Sequence, residues 1–136
     1  MIEIATAITA KFTTGTPAFN TDLSGRMWFM RAPQNVIFPY CIFSIVDNNP
    51  GWSFTTEYQE ATVQFSIYDR ASDMSQRALS TIMTAQKDLW ALYDFAALAL
   101  TGYSLTIMMR RRNMILEDPE PGVAHSMTQY YLRFAK

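Results

Sequence analysis

Residues 61–68, with the sequence ATVQFSIY, decide the fold because apolar and polar side chains alternate there without a break. In an extended chain, such alternation puts every second side chain on the same face. One face is then apolar and carries Ala61, Val63, Phe65 and Ile67. The pattern predicts a strand of an antiparallel sheet that has one covered face and one face open to water or to a partner.

The residues before this strand predict that it is the second arm of a β-hairpin. Residues 40–46, YCIFSIV, are rich in strand formers, and Pro39 fits the start of a strand because no ladder donor is lost there. Between the arms, residues 47–51, DNNPG, are turn formers and predict the turn. Further upstream, residues 27–30, MWFM, predict a short strand that ends before Pro33.

A helix is predicted at the start of the chain. Apolar residues recur there at every fourth position, which is the spacing of one helix stripe, at Ile4, Ile8 and Phe12. We therefore predict a helix over residues 2–12. Glycine and proline in residues 13–17 end it, and the polar residues 20–25 are predicted to be irregular.

A second helix is predicted after the hairpin, over residues 73–92. Asp73 and Gln76 resemble a capping box at its start. An apolar stripe follows at helical spacing, with Leu79, Ile82, Met83, Gln86 and Leu89. We expect this stripe to cover the apolar face of the sheet, because an amphipathic helix gains most of its stability by packing that face.

Two further strands are predicted near the end of the chain. Residues 103–109 alternate, with one apolar face made by Tyr103, Leu105, Ile107 and Met109. Residues 126–134 alternate as well, with Thr128, Tyr130, Leu132 and Phe134 on one face. Between them, residues 117–122, EDPEPG, predict an exposed loop.

Together these elements predict a single α+β domain over residues 1–136. Its sheet is mainly antiparallel, its two helices pack on one face, and its elements follow in the order α-β-β-β-α-β-β. A chain of 136 residues has room for one hydrophobic core.

The composition excludes several classes of protein. With 11 Lys and Arg against 12 Asp and Glu, the chain has no general attraction for a phosphate backbone. The single cysteine, Cys41, cannot form an internal disulfide and is predicted to be buried in its strand. No signal peptide is expected, and no apolar stretch reaches the ~18 residues that would predict a membrane span. Nine methionines and 14% aromatic residues favour self-association.

No pattern in the sequence predicts catalysis, a metal or a cofactor. His125 is the only histidine, it has no second ligand at metal spacing, and it is predicted to lie in a loop. The acidic residues Glu117, Asp118 and Glu120 lack the spacing of a calcium loop. The glycines are scattered and form no phosphate-binding motif. We therefore expect a protein that is not an enzyme.

Two groups of residues are candidates for contacts. Trp52, Phe54 and Tyr58 are aromatic anchors that favour an interface with another subunit or with a larger assembly. The run Arg110, Arg111 and Arg112 fits a charged contact with a protein, a contact with DNA or the lumen of a ring, or a strand end in water. The same aromatic and basic residues leave a second class open, a small sheet-based nucleic-acid-binding domain.

The order of the elements carries a resemblance to a known family. The first helix is followed by residues 26–34, RMWFMRAPQ, and by residues 38–40, FPY, which lead into a strand. Residues 63–69, VQFSIYD, are followed by a helix, and a pair of strands precedes the C-terminus. Over almost its whole length, the chain resembles the tail terminator, or tail completion, proteins of long-tailed bacteriophages. Residues 113–126 depart from the family's pattern because they are longer and more acidic.

The resemblance implies a structural protein of the virion tail, made in the host cytoplasm. It implies a ring of six copies that caps the completed tail tube and provides the surface for head–tail joining. The implied partners are other copies of the chain, the tail tube protein and the head–tail connector protein, while DNA passes through the ring without specific binding. Neither a cofactor nor a membrane is implied. A head–tail connector or another minor tail protein is the alternative among structural proteins.

Overall fold

The computed structural model describes residues 2–52, 57–70, 76–117 and 123–135. Its elements are α1 (Ile2–Thr13), α2 (Ala18–Leu23), β1 (Met27–Phe29), β2 (Tyr40–Trp52), β3 (Glu57–Arg70), α3 (Gln76–Tyr93), β4 (Ala99–Leu100), β5 (Tyr103–Glu117) and β6 (Val123–Ala135). The strands form one sheet in the order β1-β2-β3-β6-β5-β4. The pair β1 and β2 is parallel, and the other neighbouring pairs are antiparallel. The predicted α+β class and order are confirmed, with α2 and β4 in addition.

The core lies between the sheet and the helices. The predicted apolar face of β3 is at most 1% exposed at Ala61, Val63, Phe65 and Ile67. On β6, the predicted face is buried as well, at Thr128, Tyr130, Leu132 and Phe134. Each large side chain buried here contributes roughly 1.5–3 kcal/mol to stability.

Helix α3 covers the central strands and links them to α1. Its Tyr93 ring lies 4.9 Å from Phe65, centroid to centroid, and its hydroxyl donates a 2.8 Å hydrogen bond to the Ile8 carbonyl. Asp73, the expected cap of this helix, lies outside the described residues. Among the stripe positions whose burial is described, the prediction is wrong for Met83, which is 58% exposed because it lies at the margin of the buried positions Ile82 and Leu89.

The prediction that residues 20–25 are irregular is wrong for its first part. Residues 18–23 form α2, which buries Phe19 and Leu23, one helical turn apart. Asn20 donates its side-chain amide to the Phe12 carbonyl at 3.0 Å, so this polar residue ties α2 to the end of α1. Ser24 then ends the helix in the left-handed conformation.

The prediction of a turn at residues 47–51 is also wrong. The hairpin pairing continues through this segment as far as Trp52, which lies opposite Glu57. The Asp47 carboxylate accepts a 3.0 Å hydrogen bond from the Thr62 N–H, beside a bulge between Ile45 and Asp47. The polar residues are therefore used within a long strand, where cross-strand pairing outweighs their local preference for turns.

The predicted apolar face of residues 103–109 changes sides along β5. Met108, assigned to the polar face, is fully buried, while Ile107 and Met109 are half-buried. The cause is a bulge between Leu105 and Ile107, because one extra residue moves every later side chain to the opposite face. β5 then continues past the predicted strand end at Met109 as far as Glu117, the first residue of the predicted loop. Residues 118–122 of the predicted loop lie outside the described residues.

Candidate subunit interface

The outer edge of β2 is covered only at its start. β1 pairs with residues 41–43, and the Met30 N–H donates a 2.8 Å hydrogen bond to the Phe43 carbonyl. In the described chain, no strand pairs with the outer edge of residues 44–52. A row of backbone donors and acceptors is therefore open to another chain.

The outer edge of β5 is covered at its start in the same way. β4 pairs with Tyr103 and Ser104, and the Phe95 N–H donates a 2.8 Å hydrogen bond to the Met108 carbonyl. Beyond Met108, none of the described strands pairs with this edge. The sheet thus ends in two long edges that differ in sequence and lie on opposite sides of the molecule.

Both open edges are interrupted by a bulge. On β2, the bulge exposes Val46, which is 56% accessible. On β5, the bulge lies between Arg110 and Arg112 and puts Arg111 outside the regular pairing. Bulges shorten the stretch of edge that another strand can pair with, so indiscriminate pairing is reduced.

Arg110 lies on the helix side of the sheet and has partners within the chain. Its guanidinium lies 3.7 Å from the ring centroid of Trp90 and 3.5 Å from the Asp94 carboxylate. The same carboxylate accepts a 2.6 Å hydrogen bond from the buried Tyr130 hydroxyl. Burial, reinforced by this hydrogen bond, raises the pKa of Tyr130. Arg110 therefore belongs to a structural cluster between α3, β5 and β6, and is not a strand end.

Arg111 and Arg112 lie on the opposite side of the sheet. The Arg111 guanidinium lies 4.2 Å from the ring centroid of Tyr131, and Arg112 pairs opposite Gln129. Both arginine side chains are exposed. The predicted arginine run is thus divided, with one residue used in the fold and two presented at the open edge of β5.

We call the side of the sheet opposite the helices the open face, which carries Gln64, Tyr68, Gln129 and Tyr131. Its centre is polar, since Gln129 donates a 3.0 Å hydrogen bond to the Gln64 side chain. Gln64 in turn donates to the Ser66 hydroxyl at 3.4 Å. These amides give the centre of the open face neutral polar groups, while the charged side chains of Glu60, Arg111 and Arg133 lie around Tyr131 on the same face.

Aromatic side chains form a row at one end of the open face. Tyr40 stacks on Tyr68 at 5.1 Å between centroids, and Tyr68 stacks on His125 at 4.4 Å. The expected loop position of His125 is wrong, because it pairs within β6 opposite Tyr68. Sequence reasoning missed this row, although its signal was present: Tyr40 and Tyr68 are near the outer ends of the two hairpin arms.

The predicted aromatic interface is described only in part. The Tyr58 ring is half-buried, and the Arg133 guanidinium lies 4.2 Å from its centroid. The ring also lies against Gly51, where an added Cβ would overlap the Tyr58 ring. For Trp52, the structure describes only the backbone, which pairs opposite Glu57. Phe54 lies outside the described residues. The interface role of all three stays a prediction.

Chemical groups with unusual properties are few among the described residues. These residues contain no cluster of three or more potential metal ligands and no helix long and apolar enough to span a membrane. Cys41 is fully buried as predicted, and burial raises the pKa of its thiol. Burial also raises the pKa of Asp22 on α2 to about 7, assisted by a hydrogen bond with Asp88 on α3.

Comparison with known proteins adds a likeness of fold. No family model and no curated protein matches the chain. Among solved structures, the chain is similar to a chain in the structure titled "Virion of native gene transfer agent (GTA) particle". The TM-score is 0.74 with 12% sequence identity, and the match covers 98% of each chain. At this identity, the match shows a shared fold.

Proposed function

We propose that this chain is a structural protein of a phage-like virion and acts as its tail terminator. Six copies form a ring that caps the completed tail tube, within the virion tail. The ring offers the surface that meets the head–tail connector protein. Protein contacts do the work, and neither a catalytic step nor a cofactor takes part.

The observation that carries this proposal is the likeness of fold to a chain of the gene transfer agent virion over 98% of both chains. Because that particle is an assembly, the likeness favours a role in assembly. The narrower role of tail terminator is supported by the resemblance of residues 26–34 and 38–40 to that family.

The two open sheet edges support self-association. A ring requires a heterologous contact, in which one patch meets a different patch on the next copy. The edges of β2 and β5 are two such patches, and ring closure covers both of them.

The open face supports passage of DNA without specific binding. Its centre holds the amides of Gln64 and Gln129, and the chain has a net charge of −1. Strong attachment to DNA requires many cations that neutralise phosphates. The neutral centre of this face and the two arginines at its β5 edge offer too few cations to hold DNA strongly, so DNA slides past.

Light scattering of the purified chain, with and without tail tubes, tests the terminator proposal. We expect oligomers either in solution or when tubes are present. A chain that stays monomeric at every concentration and does not bind tubes contradicts the proposal. Binding to isolated head connectors but not to tubes favours a connector or another minor tail protein.

A nucleic-acid-binding domain is the second candidate because Arg111 and Arg112 lie near Tyr131 on the open face. A salt titration separates the two functions. Binding to single-stranded DNA weakens steeply with salt because many phosphates are neutralised, whereas self-association through sheet edges involves few charges per contact and weakens much less. Tight, salt-sensitive DNA binding by a monomer favours the second candidate.

A further inference from the structure

The two open edges have the directions needed for one to pair with the other. β3 and β6 lie between β2 and β5, and each neighbouring pair in this series is antiparallel. β2 and β5 therefore run in opposite directions. When two copies lie side by side in the same orientation, β2 of one is antiparallel to β5 of the other. Repetition of this contact closes into a ring when the rotation between copies permits.

The two edges are also open at the same height. The strand pairings place Asp47 on β2 level with Met109 on β5, through their partners on β3 and β6. Residues 44–47 are consequently level with residues 109–112. This is the stretch in which neither edge is covered by β1, β4 or Phe95. It also contains both bulges, at Val46 and Arg111.

Charge favours the contact between β2 and β5 over contacts between two identical edges. The edge of β2 exposes Asp47 at this height, and the edge of β5 exposes Arg111 and Arg112. A contact between two β5 edges would bring arginines together, and a contact between two β2 edges would bring carboxylates together. Like charges facing each other disfavour both symmetric contacts, so the pairing of β2 with β5 is selected.

We propose that neighbouring copies meet edge to edge, with residues 44–47 of one copy beside residues 109–112 of the next. The occupant of each edge is thus a second copy of this chain. At this height Asp47 lies opposite Met109, and Arg112 is two pairing positions away, within reach of a long side chain, with the bulged Arg111 between them. The attraction between Asp47 and these arginines fixes the register. This inference rests on the homo-oligomer of the proposed function and adds the surfaces that form it.

Disulfide trapping tests the contact. Two variants, Val46→Cys and Arg111→Cys, are mixed in the presence of tail tubes and oxidised. Each variant carries only one of the two new cysteines, so a disulfide between the variants joins two copies. A bond between the two variants therefore reports contact between copies. Native Cys41 is 0% exposed and does not compete.

The matched control replaces Arg111→Cys with Met83→Cys, at an exposed position on α3. We expect the edge pair to give about tenfold more mixed dimer than the control, because contact raises the effective concentration of the thiols. Equal yields in a preparation that forms oligomers overturn the edge contact and leave the proposed function intact. A chain that remains monomeric with and without tubes overturns both.

Charge reversal provides a second readout. Arg111→Glu is expected to weaken self-association about tenfold, and the double variant Asp47→Lys with Arg111→Glu is expected to restore it. Lys87→Glu makes the same change of charge at an exposed site on α3 and is expected to have no effect. An equal loss in Lys87→Glu, or no recovery in the double variant, contradicts the predicted pairing of charges.

Discussion

Removing the Arg110 side chain is expected to destabilise the fold, whereas removing Arg112 is expected to weaken self-association without loss of stability. The guanidinium of Arg110 lies 3.7 Å from the Trp90 ring centroid and 3.5 Å from the Asp94 carboxylate. Arg112 is exposed at the open edge of β5. The two arginines are only two residues apart in sequence. A difference in stability between their alanine variants therefore reports the different surroundings of the two side chains in the structure.

The expected size of the effect follows from the Arg110 contacts. A partly buried cation–π contact contributes about 1 kcal/mol. The ion pair is about one-third exposed on each side, so it contributes about 0.5 kcal/mol. Arg110→Ala therefore lowers the free energy of unfolding by about 1.5 kcal/mol, which for this chain length lowers Tm by about 5 °C. Arg112→Ala changes the free energy by less than about 0.5 kcal/mol.

Thermal and urea unfolding, followed by circular dichroism at a low protein concentration, measure this difference. The low concentration keeps self-association from adding to the apparent stability. Sedimentation of the same variants then reports assembly. Equal losses of stability in Arg110→Ala and Arg112→Ala would refute the assignment of Arg110 to the structural cluster, as would a loss of assembly confined to Arg110→Ala.

Three further substitutions test contacts within the fold. In the fold the pKa of Asp22 is about 7, against an ordinary value of about 3.9, so stability is present at low pH and falls as pH rises through this interval. Asp22→Asn removes the repulsion with Asp88 and should raise the free energy of unfolding by at most about 1 kcal/mol. The gain, measured by urea unfolding, should be larger at about pH 8 than at about pH 4.5. Gly51→Ala should displace the half-buried Tyr58 ring at a cost of about 1 kcal/mol or less in urea unfolding, and the cost should shrink in a Tyr58→Ala background. Tyr93→Phe should lower the free energy of unfolding by about 1–2 kcal/mol, because the Ile8 carbonyl loses the hydrogen bond that the Tyr93 hydroxyl donates. An unchanged Tm in thermal unfolding contradicts that contact.

The sequence is informative where a strand buries one face along its whole length. The alternation of residues 61–68 predicts the buried face of β3, and that of residues 126–134 predicts the buried face of β6, because neither strand has a bulge in its pairing with the other. In β5, by contrast, the bulge before Ile107 reverses the alternation. Its position depends on the partner strand, so the sequence of β5 alone does not reveal it.

Local turn chemistry was misleading for a related reason. Asp47 is a strong turn former, yet its carboxylate binds the Thr62 N–H across a bulge in the middle of a long hairpin arm. The gain from continued pairing outweighs the local preference. Helix α2 was missed because six residues are too few to show a helical period.

The candidate interface could be predicted only in outline. The sequence points to Arg110, Arg111 and Arg112 as one charged group, but strand geometry and a bulge send Arg110 to the helix side. Open edges cannot be recognised before the strand order is known. In this sheet they result from the shortness of β1 and β4 beside β2 and β5, which are 13 and 15 residues long.

Electron microscopy of tail tubes incubated with the purified chain tests the central claim, which is ring formation by this chain at the end of a tube. We predict that averaged images of tube ends gain a closed ring of six copies, with β2 of each copy beside β5 of the next. Tube ends that remain bare, while the same chain stays folded and monomeric in solution, would contradict the account.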